Sequence, residues 1–304
     1  MPSALIVGSI ALDSVETPFG KVDNALGGAA SYASCVASLF APVRLIGVVG
    51  EDFPQEQLDA LAERGVDTSH VERVEGGRSF RWAGRYVHDM SQAETLDTQL
   101  NVFADFRPEI PPEWRDTEIV FLANIHPALQ RCVLEQCGGA QLTIADTMNF
   151  WIQGERDELL EVLRRVDVAL LNDAEVRQLT GEPALIPAGR DALALGPRYV
   201  VIKKGVHGAT LLSADSLFSV PSYPVAEVRD PTGAGDSFAG GIAGFLAATE
   251  DVREPNLRRA LAVGAVMASF ACEDFSLRGL WDVTKHDVRQ RYDELRQIAL
   301  FDPL

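Results

Sequence analysis

The chain is poor in the residues that mark secreted, metal-caged or membrane-spanning proteins. Four of its 304 residues are cysteine. Cys35, Cys132, Cys137 and Cys272 are scattered, and no second close pair joins 132 and 137 to complete a zinc cage. Thiols used so sparingly fit a reducing compartment, so a cytoplasmic protein is expected. Residues 1–10 lack a basic start and a small-residue cleavage site and read as a first strand, not a leader. The longest nearly apolar run, 260–272, has thirteen residues. That is short of the ~20 needed to cross a bilayer, so the run reads as a core helix. Histidines at 70, 88, 126, 207 and 286 show no metal-ligand spacing. Basic residues are also scarce, 27 against 44 acidic, for a net charge of −17. A field of that sign repels phosphate backbones and anionic lipids, which argues against nucleic acid or membrane as partners. Any anionic ligand must be held by local groups working against it.

What is present is an ordinary globular composition, 47% apolar and 23% charged, ample for a core. Short apolar runs at 4–7, 43–49, 119–122, 142–145, 168–171 and 199–202 are continuous rather than alternating. Parallel strands buried on both faces require such runs. Stretches with helical spacing and charged faces lie between them, at 54–64, 155–165, 173–180 and 189–195. Strand then helix, repeated, predicts a doubly wound, mainly parallel α/β sheet in one domain spanning 1–304. Two excursions interrupt the pattern, at about 14–26 and 78–106, and are expected to pair into a small β-lid.

The feature with most chemistry is Asp230-Pro231-Thr232-Gly233-Ala234-Gly235-Asp236-Ser237-Phe238. A glycine turn opening a helix presents free amides and the positive end of the helix dipole, an anion seat suited to a transferring phosphoryl group. Asp236 within it is either a helix cap or a base for an attacking hydroxyl. A dinucleotide fingerprint is disfavoured because Phe238 stands at its third glycine, and no Walker-type loop occurs.

The same nine residues closely resemble the C-terminal signature of the ribokinase-like (PfkB) family of carbohydrate and nucleoside kinases. Further pieces follow in the family's order: Gly8 to Asp13, Gly27-Gly28, Gly47 to Asp52, Asn172 with Glu175, and Lys203-Lys204-Gly205. The resemblance implies a Rossmann-type core with a β-lid, ATP as donor and Mg2+ on its phosphates. It makes Asp236 the base, with Gly233, Ala234 and Gly235 lining the anion hole. Asp13, Gly27, Gly28 and Tyr32 fall at the acceptor. Asn172, Glu175, Lys203, Gly205 and Thr232 fall on the nucleotide side, with Glu175 acting on the metal through water. A potassium ion near Asp230 and a homodimer formed through the lid are also implied.

Two departures bear on the acceptor. Where sugar-specific members carry asparagine, this chain has Ala11 and Tyr32. With Phe80 and Trp82, Tyr32 offers aromatic faces on which a nucleobase can stack at ~1–3 kcal/mol. The expectation is therefore a nucleoside acceptor such as adenosine; the same rings serve equally as hinge and core packing. Phe150 and Trp151 are ambivalent in the same way. Arg81 and Arg85 either clamp a phosphate or carboxylate, or are solvated. The alternatives are a ribose- or fructose-type sugar kinase and a non-catalytic ligand sensor; a sensor has no need of a base in its anion seat.

Overall fold

The computed structural model describes residues 2–87, 90 and 92–302; His88 lies outside them. In chain order the strands are β1 (Ala4–Val7), β2 (Ala11–Thr17), β3 (Gly20–Gly27), β4 (Val43–Gly50), β5 (Val66–Asp67), β6 (Val71–Val74), β7 (Phe80–Tyr86), β8 (Ala93–Gln99), β9 (Ile119–Leu122), β10 (Leu142–Asp146), β11 (Val168–Asn172), β12 (Tyr199–Lys203), β13 (Ala209–Leu212) and β14 (Leu217–Val220). A large sheet runs β14-β13-β12-β11-β10-β9-β1-β4-β5, with β6 alongside β4. It is parallel from β12 to β5, and β13 and β14 close one edge as an antiparallel hairpin. The mainly parallel α/β architecture expected from the apolar runs is present, and the hairpin at the edge is an addition to it.

The runs are continuous because each strand feeds two cores. Ala4, Ile6, Ile119, Phe121, Val168 and Leu170 pack with the helices Ala29–Ala37, Ala234–Thr249 and Glu254–Ala271 on one face. Their neighbours Leu5, Val7, Val120, Leu122, Ala169 and Leu171 face the other layer, which includes the helices Pro127–Gln136, Arg156–Leu163 and Asp173–Thr180. Alternate side chains of a strand point to opposite faces, so a sheet covered on both sides needs apolar residues at every position. The apolar run at 260–272 falls within the buried helix Glu254–Ala271, and no helix among the described residues is long and apolar enough to cross a membrane.

A second, smaller sheet runs β3-β2-β7-β8. Its β2 continues from β1 through Gly8–Ile10 and pairs antiparallel with β3 and parallel with β7. The root of this sheet is fastened by Asp52, just past β4. Its Oδ1 accepts from the amide and hydroxyl of Ser79, both at 2.7 Å, and its Oδ2 accepts from Arg81 at 2.7 Å. Arg81 also reaches Asn24 on β3, and Arg85 pairs with Glu16 at 3.2 Å. Both arginines thus sit in solvent-open ion pairs within the chain, the solvated alternative to a clamp on a substrate phosphate or a partner carboxylate.

Candidate active site

Two helix N-termini meet at the carboxyl edge of the large sheet. The helices Ala29–Ala37 and Ala234–Thr249 run parallel, because Gly240 lies against Ala33 and Gly244 against Ala37, four residues further along both. A Cβ at Gly244 would come within 2.6 Å of the Ala37 Cα, so the contact is backbone on backbone. The glycine pair at 27–28 and the turn at 233–235 are thus neighbours although some two hundred residues separate them. Gly233, in the left-handed region at φ 73°, opens the second helix, and Gly28 at φ 90° opens the first. The leading amides of a helix have no carbonyl a turn behind them, and both ends carry partial positive charge.

Asp13, on β2, lies across the first N-terminus. Its Oδ2 accepts from the Gly28 amide at 3.3 Å, and its carboxyl fills the space that a Cβ at Gly27 would take. Gly27 therefore has no side chain because Asp13 sits there. Burial pushes the Asp13 carboxyl up to about 7; the Gly28 amide opposes this, and the charges of Asp236 and Asp230 add to it. Asp236, in the first turn of the helix Ala234–Thr249, is half-buried and is pushed up to about 6. Desolvation leads, the negative Asp146 adds to it, and Lys203 works against it.

Lys203 ends β12, and its ammonium bonds both carboxylate oxygens of Asp146 at 2.8 and 2.6 Å. The same Nζ stands 3.6 Å from where a Gly235 Cβ would be, above the turn. Burial disfavours this ammonium, but Asp146 and Glu175 outweigh it and hold it charged above its usual range. Lys203 is therefore a fixed cation beside the glycine turn. Asp146 was not among the residues singled out from sequence, although its place at the end of an apolar run was readable. Ligands of open α/β sheets bind beyond the carboxyl ends of the strands. Gln130 ties its backbone down, donating to the carbonyls of Ala123 at 3.0 Å and Asp146 at 2.8 Å.

Asn172 and Glu175 form a reciprocal capping box on the helix Asp173–Thr180. Asn172 Oδ1 accepts from the amides of Ala174 and Glu175, and Glu175 Oε2 accepts from the Asn172 amide at 2.6 Å. Burial pushes Glu175 up to about 7, with Lys203 lowering it and Asp146 raising it. Gly205 lies just past Lys203 in an exposed turn at φ 53°, with open space around it. Asp230 is buried; its carboxyl accepts from the amides of Thr232 at 2.9 Å and Ser276 at 3.3 Å, and burial raises its proton affinity. Thr232 Oγ1 meets the hydroxyl of Tyr86 from the small sheet at 3.3 Å, a contact not foreseen from sequence.

One expectation is corrected. Tyr32 is 1% exposed, and its ring lies beneath the turn where a Gly233 Cβ would stand. It offers no face for a base to stack on and acts as the floor that keeps position 233 a glycine. Phe80 is likewise occupied, stacked on Phe103 with centroids 5.4 Å apart. Trp151 donates to Asn124 at 3.0 Å and packs against Phe150 and His126, while Phe150 is largely exposed.

The pattern of pfkB family carbohydrate kinases matches residues 6–281. The chain belongs to that family and is a carbohydrate or nucleoside kinase of the ribokinase fold. It is 30% identical over 252 residues to a cytidine kinase of Thermococcus kodakarensis, covering 81% of this chain and 89% of that one. To an aminoimidazole riboside kinase of Salmonella typhimurium it is 26% identical, covering 80% of each. Its fold matches a putative ribokinase II of E. coli, solved with ATP and Mg2+, at a TM-score of 0.78 and 20% identity, over 97% of this chain and all of that one.

Proposed function

We propose that this kinase transfers the γ-phosphoryl group of ATP to a primary hydroxyl of a nucleoside. The observation that carries the reading is Asp236: a half-buried carboxyl pushed up to about 6, in the first turn of a helix opened by a glycine turn, with the Lys203 cation alongside. Asp236 takes the proton of the acceptor hydroxyl as that oxygen attacks the γ-phosphorus. The bond to the β-bridging oxygen breaks, and ADP departs with the electron pair. Gly233 and Gly235 supply amides to the transferring group, and Lys203 offsets charge on the departing phosphates; the Ala234 amide, expected to join them, is instead donated to the Pro231 carbonyl at 3.2 Å. Asp13, beside the Gly28 amide, accepts from acceptor hydroxyls. The small sheet acts as a lid over this cleft within a single kinase domain.

No group of three or more His, Cys, Asp and Glu that could cage a metal occurs among the described residues. Mg2+ in this reading arrives on the nucleotide phosphates and is held through water, the usual manner of this ion. Glu175 would hold such a water with the oxygen its capping box leaves over, beside Asn172. When bound, the ion would neutralise phosphate charge. A potassium ion beside Asp230 belongs to the same reading, held by backbone carbonyls of the segment around Asp230 and Thr232.

Support for a nucleoside comes from the cytidine kinase and aminoimidazole riboside kinase relatives and from half-buried Trp82, the strand partner of Asp13. The test is phosphate transfer from Mg·ATP across a panel of adenosine, cytidine, other nucleosides, ribose and fructose. Fastest turnover on a nucleoside is the expected result, and turnover confined to free sugars would replace the reading with the sugar kinase. ATP binding with no turnover on any member would identify a sensor. The small sheet also exposes Phe19, Val87, Leu96 and Leu100, which we assign to a homodimer contact. A sedimenting species of only 33.0 kDa at micromolar concentration would refute that assignment.

A further inference from the structure

We infer that Trp82 is the platform on which the base of the acceptor lies; this rests on the nucleoside reading and deepens it. Trp82 is the parallel partner of Asp13 across β2 and β7, so both side chains lie on one face of the small sheet. The same face carries Phe80 and Tyr86, two residues before 82 and four after it. Three members of the face reach the body of the protein: Asp13 bonds the Gly28 amide, Tyr86 meets Thr232, and Phe80 stacks on Phe103. That face is therefore the one turned toward the catalytic turn.

Trp82, in the middle, is fixed to the sheet itself. Its six-membered ring occupies the space over Gly84 that a Cβ would fill. At the other end its Nε1 donates to Thr95 Oγ1 at 3.3 Å. Gly84 and Thr95 are cross-strand partners, so the indole is pinned at both ends along the sheet surface. A half-buried ring held along this face, its backbone paired with that of Asp13, suits a molecule with a planar base joined to a polyol. Bare sugar has nothing to lay on it.

The test measures acceptor KM, ATP KM and kcat for wild type, Trp82→Phe, Trp82→Ala and Gly84→Val, with ribose as acceptor or competitive inhibitor. Trp82→Ala is expected to raise the nucleoside KM tenfold or more. The ATP KM and the ribose constant should stay within about twofold of wild type, and Trp82→Phe should recover most of the loss. Gly84→Val, which displaces the indole without removing it, should shift the same constant in the same direction. A wild type that binds ribose as well as any nucleoside sinks the nucleoside reading itself. Wild-type preference for nucleoside that survives Trp82→Ala, or an equal loss on nucleoside and ribose, overturns the platform and leaves that reading in place.

Discussion

Asp236→Asn should make the protein more stable while disabling it, and the two effects should separate with pH. The carboxyl has a folded value of about 6 against a usual 3.8, a rise of some two units at ~1.4 kcal/mol each. A group whose folded value is raised binds its proton more tightly in the native state. Its ionisation therefore costs nothing below pH 3.8, begins to weaken the fold as pH climbs, and exacts its full penalty of ~3 kcal/mol above pH 6. Asparagine keeps the shape and removes the charge, and Lys203 still has Asp146 as its partner. At pH 8 the variant should gain ~1–3 kcal/mol, read as a higher melting temperature, and at pH 4 the two proteins should melt together. Turnover should fall by ~10²-fold or more with ATP affinity nearly unchanged. A variant that melts below wild type at pH 8, or gains equally at pH 4, would refute the assignment of strain to this charge. Near-wild-type turnover would remove Asp236 from the chemistry.

Three further outcomes are expected. The rate at limiting acceptor should rise through pH 6 to 7, where Asp236 and Asp13 lose their protons, and a rate flat from pH 5 to 8 would contradict both values. Gly27→Ala should displace the Asp13 carboxyl and raise acceptor KM roughly tenfold, the cost of one charge-assisted hydrogen bond, with ATP KM steady; unchanged acceptor KM would refute the clearance argument. Lys203→Met leaves Asp146 buried without its cation and should cost ~3–5 kcal/mol in denaturant unfolding. Adding Asp146→Asn should recover much of that loss, and strict additivity of the two changes would show that the pair is not coupled.

The parallel core was readable because burial on both faces leaves a local trace: 4–7 and 119–122 are apolar at every position. The hairpin of β13 and β14 left a fainter one. Ala209–Leu212 is a short strand just past a glycine turn, and β14 is partly exposed. The helix Lys285–Ile298 is strongly charged and buries little more than Val288 and Leu295, so its apolar stripe is thin; the Thr284–Asp287 capping box was its clearest signal. The turn at 233–235 stood out because glycines before a helix leave its leading amides open to a ligand, while the role of Asp236, cap or base, stayed open. Tyr32 misled for a physical reason. Whether a ring is a floor or a surface depends on what lies above it, and here that is Gly233, from the other end of the chain. Asp146 and Lys203 become meaningful only as a pair, 57 positions apart in sequence.

The glycine-lined seam between the helices Ala29–Ala37 and Ala234–Thr249 sets a fixed gauge. With main chain pressed on main chain at Gly240 and Gly244, no side chain can be trimmed or rotated to widen the gap between the Gly28 end and the Gly233 end. A bulkier or slimmer acceptor must then be accommodated by residues of the small sheet, above all positions 82 and 84. Libraries aimed at new acceptors should vary those positions and leave the seam untouched.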